Sequence, residues 1–168
     1  MNTPVNRRTI AKGAGALAGT AAMRGVLPAA AEAEEATPTE PSLYDRLGGI
    51  FPIAAVVNRF SDQIIINPKL NVNPALKAWN ENEAPTRLPG LKYMRTLWVA
   101  ALAGGPFSYT GLPLDQAHQE FHLTADEFNE VGAEIVRALD YYHVPEREKQ
   151  ELVAAYMTAM SDVVDESA

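Results

Sequence analysis

Gly104-Gly105-Pro106-Phe107-Ser108-Tyr109-Thr110-Gly111-Leu112-Pro113-Leu114-Asp115-Gln116-Ala117-His118 is the stretch that decides how this chain is read. Its glycines and prolines interrupt any regular element, because glycine accepts positive φ and proline cannot continue a helix. On its N-terminal side Leu91, Met94, Leu97, Trp98 and Ala101 recur at helical spacing and stop at Gly104-Gly105-Pro106. On its C-terminal side Gly111 and Pro113 precede a single short helix predicted over Leu114–Glu120. Thr124-Ala125-Asp126-Glu127 then has the form of a capping box, opening a helix whose apolar face is Phe128, Val131, Ile135, Leu139 and Tyr142. The stretch is therefore a corner between two long helices, with a histidine at its end.

Helical patterns continue toward both termini. Ser42 caps a short helix through Leu47, closed by Gly48-Gly49. From Pro52 to Asn67, Ile53, Val56, Val57, Phe60 and Ile64 form an amphipathic stripe that Pro68 closes. Residues 68–90, with four prolines and four asparagines, read as a long connection holding one turn of helix around Ala75–Trp79. Pro145 suits the first residue of a last helix with the stripe Leu152, Val153, Tyr156, Met160 and Val163. No run alternates as a strand does and no internal repeat is found, so the expected class is all-α.

The 168 residues suit one domain, and 14 Lys and Arg against 21 Asp and Glu give a formal net charge of −7. The acidic balance argues against a nucleic-acid partner, which would need clustered bases. The chain has no cysteine. That excludes disulfides, Cys-ligated zinc or iron–sulfur clusters, a thiol nucleophile and thioether attachment of a haem. A metal would fall to His, carboxylate, Tyr or Met, and the histidines are His118, His122 and His143. No phosphate loop, HExxH helix or GxSxG elbow is present. Glu127, Glu130 and Glu134 read as solvent-face carboxylates and form no Glu-x-x-His pair of a di-iron bundle. Taken alone, His118 reads far more readily as a capped or partly exposed histidine than as a ligand. His122 reads as a surface residue and His143 as a charge set against a helix end.

Residues 1–33 stand apart. Arg7, Arg8 and Lys12 make a basic start, and the weakly apolar run from Gly13 to Met23 is too short and mild to span a bilayer of about 30 Å. Asn6-Arg7-Arg8-Thr9-Ile10-Ala11-Lys12 resembles a twin-arginine export signal, with cleavage sites at Ala29-Ala30-Ala31 and Ala31-Glu32-Ala33 and a departure at Arg24. The resemblance implies the twin-arginine translocation machinery as a partner and a soluble, periplasmic or otherwise exported product that is folded before transport. Loss of residues 1–33 leaves ten bases against twenty acids, a net charge of −10. Residues 34–41 read as a linker and 42–165 as the domain.

The stretch from Gly104 to His118, together with Ser42-Leu43-Tyr44-Asp45-Arg46-Leu47-Gly48-Gly49, resembles the group 1 truncated haemoglobins. In that family a Gly-Gly-Pro corner and a Tyr-x-Gly step lead to the proximal haem ligand. The resemblance implies a truncated globin, a two-over-two helical sandwich around haem b. It implies that His118 holds the iron through Nε2, with Nδ1–H turned to a backbone carbonyl. It makes Phe60, Leu91, Met94, Leu114, Phe121, Phe128 and Val131 walls of the haem pocket, although each is equally an ordinary core residue.

The distal side departs from that family. Where it usually carries a tyrosine that hydrogen-bonds dioxygen, this chain has Ser61, and the family's phenylalanine after that helix has no clear counterpart in Leu70-Asn71-Val72-Asn73-Pro74. Counting back from Gly104, the family's glutamine position falls on Arg95. Arg95 reads as a donor to the ligand, with Ser61 acting through water, or, like Lys92, as a partner of a haem propionate. The resemblance implies binding of a diatomic gas: dioxygen, nitric oxide or carbon monoxide. It also permits turnover such as nitric oxide dioxygenation, or a peroxidase-like reaction, with electrons from an external donor protein, although no distal acid–base histidine is evident. The alternative is a globin-fold sensor or interaction module with altered or lost oxygen binding.

Overall fold

A computed structural model describes residues 40–167; the expected export signal and most of the expected linker lie outside them. Ser42 caps α1 (Leu43–Arg46), its Oγ accepting the Asp45 N–H at 3.1 Å. After Gly48-Gly49, α2 (Ile50–Ile66) buries Ile53, Val57, Phe60 and Ile64, most of the predicted stripe, together with Ser61. The Tyr44 N–H donates to the Ala103 carbonyl at 2.8 Å and its ring packs on Phe107, centroids 5.8 Å apart. Gly105 permits this approach, since a Cβ there would stand 2.5 Å from Tyr44 Cδ2 and 2.8 Å from the Ala100 carbonyl oxygen. The opening motif and the Gly-Gly-Pro corner, far apart in sequence, thus form one packing unit.

The proline-rich segment is helical rather than a long connection. Over residues 68–90 the chain forms α3 (Pro74–Asn82) and the start of α4 (Ala84–Leu102), which begins well before the Leu91 stripe. Asn73 Oδ1 accepts the Ala75 and Leu76 N–H groups at 2.9 and 3.2 Å. Pro74 and Pro85 fall in first turns, where amides lack intrahelical partners in any case. Pro89 lies inside α4 and removes one backbone bond.

The corner leads into α5 (Leu114–His118) and a single 3₁₀ turn (Gln119–Phe121), close to the predicted short helix. The capping box of α6 (Ala125–Tyr141) has both arms: the Thr124 N–H donates to Glu127 Oε2 at 2.8 Å and the Glu127 N–H to Thr124 Oγ1 at 3.2 Å. His143 ends α6 with φ 54°, the left-handed position that glycine usually takes. The Val144 N–H reaches back to the Leu139 carbonyl at 3.0 Å. Pro145 is the residue before α7 (Glu146–Met157) rather than its first. The last stripe is divided: Leu152 and Tyr156 are buried on α7, while Met160 and Val163 belong to α8 (Met160–Val163). α2 packs on α4 and α6, and α6 packs on α7. Among the described residues there is no strand, only an isolated bridge between Leu123 and Val164, and no helix is long and apolar enough to cross a membrane.

One group of carboxylates corrects the sequence reading. Glu134 is buried and the Glu130 side chain is mostly covered, because Asn67 at the end of α2 donates to both, at 2.7 and 3.0 Å. Lys69 and Arg137 complete the cluster at 2.7 and 3.1 Å from Glu130. It ties the α2–α3 connection to α6, a contact that helix periodicity on α6 alone does not reveal.

Candidate functional site

A cavity of about 760 Å³ lies between α2, α3, α4, α5, α6, α7 and α8. That is within the ~300–1,000 Å³ range of small-molecule and cofactor pockets. His118, last residue of α5, forms part of its wall. Its Nδ1 lies 2.8 Å from the Leu114 carbonyl oxygen, one turn earlier on the same helix. A carbonyl only accepts, so Nδ1 carries the proton and Nε2, across the ring, keeps its lone pair. Burial holds the His118 pKa below its ordinary value, the nearby positive charge of Arg95 lowers it further, and the Leu114 bond opposes both. The ring is therefore neutral near pH 7, the form that ligates a metal. Among the described residues no three His, Cys, Asp or Glu side chains converge on a common point.

Arg95 of α4 and Ser61 of α2 occupy the α2–α4 wall. Arg95 Nη1 donates to Ser61 Oγ at 3.3 Å, and its guanidinium carbon stands 5.5 Å from the Phe60 ring centroid. Burial pulls the Arg95 pKa down to about 10, opposed by Tyr156, so the group is still cationic at neutral pH. The Tyr156 hydroxyl donates to the Phe128 carbonyl at 2.9 Å and its ring stacks on Phe128, centroids 4.5 Å apart. Burial raises the Tyr156 pKa.

The residues singled out in the sequence mostly meet here. Phe60, Leu91, Met94, Arg95, Leu114, Phe121, Phe128 and Val131 line the same cavity as His118, and Ser61 reaches it through Arg95. Lys92 does not line it: its ammonium lies 2.8 Å from Asn58 Oδ1 and 2.6 Å from Asp62 Oδ1, on the outer side of the α2–α4 pair. His122 is exposed, with Nδ1 2.8 Å from Asp165 Oδ2. Sequence reasoning missed Leu76, Trp79 and Asn80 on α3 and Arg87 at the start of α4, all lining residues. The signal for them was Asn73-Pro74, a capping residue followed by a proline in the first helical position. It also missed Tyr109, whose hydroxyl donates to the Leu112 carbonyl at 2.9 Å and folds the corner over one side of the cavity. Gly111 lies directly under that ring, and a Cβ there would have to push the Tyr109 ring aside.

An all-helical domain of two packed helix pairs, enclosing an apolar cavity faced by one neutral histidine, has the architecture of a globin. Residues 42–165 match the model of the bacterial-like globins, and the chain belongs to that family. It is 30% identical over 114 residues to the group 1 truncated hemoglobin GlbN of Mycolicibacterium paratuberculosis, covering 68% of this chain and 77% of that protein. The fold is shared with the truncated hemoglobin of Tetrahymena pyriformis in its Fe(III) form, with a TM-score of 0.65, 20% identity, and coverage of 75% of this chain and all of that one. It is also shared with the 2/2 hemoglobin of a Synechococcus species, solved in the cyanomet state with covalently attached heme (TM-score 0.63, 21% identity, 74% and 98% covered).

Proposed function

We propose that the domain is a haem-binding truncated haemoglobin, with His118 as the proximal ligand of a haem b iron and Arg95 and Ser61 on the ligand side. The observation that carries this reading is the Nδ1 contact of His118 with Leu114, which leaves Nε2 unprotonated at the wall of a cofactor-sized cavity. When bound, haem supplies an iron with a coordination position open to a diatomic gas such as dioxygen or nitric oxide. The chain's own residues do the rest. Phe60, Phe121 and Phe128 exclude water from the macrocycle's place, and the Leu114 carbonyl fixes the orientation of the His118 ring. Arg87 is exposed on the same wall, suited to meet the propionates, whereas Lys92 is committed to Asn58 and Asp62. Ser61 in place of a tyrosine, with Arg95 beside it, favours a ligand preference unlike that of a tyrosine-bearing pocket.

Absorption spectra of the haem-reconstituted protein, ferric and ferrous, test the reading. A Soret band in the wild type and its loss or displacement in His118→Ala are expected. Absence of a Soret band would instead favour a globin-shaped interaction module without cofactor. The export proposal, supported by the Arg7-Arg8 motif and the Ala-x-Ala sites, predicts a mature N-terminus near residue 34 in the secreted fraction. An intact Met1 on the soluble protein would refute it.

A further inference from the structure

We propose that the interior of the cavity is a small-anion site built on Arg95, so that the ligand this chain prefers beside that residue is a monovalent anion of a few atoms rather than a neutral gas. The inference deepens the haem-pocket reading and rests on it.

The first observation is the charge of the wall. In a chain with 21 acids and 14 bases, the charged residues lining the cavity are Arg87 and Arg95, with no Asp or Glu among them. The second is the state of Arg95 itself. It forms no ion pair with any described residue, and its hydrogen bond to Ser61 uses one of its five donors. Among the described residues no side-chain nitrogen without a hydrogen-bond partner is fully buried, so Nε and Nη2 of Arg95 keep accessible surface, and Arg95 lines the cavity. The third is the absence of a neutralising group nearby: Ser61 is fully buried and uncharged, and Phe60 presents a ring. A cation withdrawn from water without a counter-charge is costly, and an incoming anion recovers that cost through charge-assisted bonds. Arg87 differs, being exposed and 3.5 Å from Glu83, which places it at the rim where a cofactor carboxylate would lie. The two arginines therefore divide the work, one at the rim for the cofactor and one inside for its ligand. A cofactor held by His118 would share the cavity of about 760 Å³ with any ligand of Arg95, which favours an ion of a few atoms such as azide or nitrite.

The test titrates the ferric, haem-loaded protein with azide and separately with nitric oxide, in wild type, Arg95→Gln and Arg95→Lys. Azide affinity is expected to fall at least about tenfold in Arg95→Gln and to stay within about threefold in Arg95→Lys, while the loss of nitric oxide affinity in Arg95→Gln is smaller than the azide loss by at least about threefold. An unchanged azide affinity in Arg95→Gln, or equal losses for azide and nitric oxide, overturns the proposal. Weaker haem retention with unchanged azide affinity also overturns it, since Arg95 would then be holding a cofactor carboxylate. If the wild type takes up no haem, the haem-pocket reading fails on its own. Calorimetric titration of azide into the cofactor-free proteins at fixed ionic strength then decides the anion site: binding by wild type but not Arg95→Gln supports it, and any other result overturns it. Should Arg95→Gln fail to fold by circular dichroism, Arg95→Leu replaces it in both arms.

Discussion

The ring of Tyr44 lies over the α-carbon of Gly105, so that the first helix of the domain and the corner after α4 share a surface with no room for a side chain between them. Gly105→Ala is therefore expected to force the ring aside and to break the packing of Tyr44 on Phe107. Overpacking of this kind costs about 1–3 kcal/mol. Urea denaturation should show a lower midpoint with an unchanged slope, and a midpoint equal to that of wild type would mean that Tyr44 has another place to go.

Asn67 holds two carboxylates at once, Glu130 and Glu134, and the second of these is buried. Asn67→Ala leaves Glu134 with Arg137 alone and leaves Lys69–Glu130 as the polar tie between the α2–α3 connection and α6. The expected loss is about 1–3 kcal/mol, the cost of leaving a buried acceptor short of a donor. Hydrogen exchange should show the loss first at the end of α2 and at Leu70, which packs beside Phe60 and Ile64.

The same cluster gives an acid-dependent term. Lys69, then Asn67 and Arg137, hold the Glu130 carboxyl at about 2, well below its ordinary value. A lowered folded pKa means that this stabilisation is complete above the unfolded value and is lost as pH falls through the folded one. The window is therefore from about pH 4.5 down to about pH 2. Glu130→Gln is expected to be less stable than wild type at pH 7, with the difference shrinking across that window, as followed by thermal melts at constant ionic strength. Asp165, lowered to about 2 by Ser167 and His122, titrates over the same range and remains in both proteins, so the comparison isolates Glu130.

What the sequence made legible was what is local or at fixed spacing. Thr124 and Glu127 are three residues apart and meet as a capping box wherever that helix starts, and the α2 stripe of Ile53, Val57, Phe60 and Ile64 needs only the helical period. The expected contact of His118 Nδ1 with a backbone carbonyl is likewise local, since its partner, Leu114, lies one turn away on the same helix. Other features depend on partners that no local pattern names. Glu134 looked solvated because its donor, Asn67, lies on another element. α3 and the start of α4 were hidden by prolines, which break a helix from within but are tolerated in its first turn. Lys92 and Arg95, three apart on α4, were alike as cations on paper; the fold turns one toward Asp62 outside and the other toward Ser61 inside.

His118→Gly separates the two jobs of that residue, closing the local structure and presenting a lone pair. The backbone of α5 loses a side-chain bond to Leu114 but no buried partner, since that carbonyl is part of a short surface helix, so the fold should survive. The ring's place beside Phe121, 6.4 Å away between centroids, is left as a gap of imidazole size at the cavity wall. If His118 is the proximal ligand, haem affinity drops in the variant and millimolar imidazole restores the wild-type Soret position, because the added ring supplies the missing nitrogen from the same gap. Alanine-level spectra that imidazole leaves unchanged would instead show that haem, if bound, takes its axial nitrogen elsewhere, with His122 the first residue to substitute.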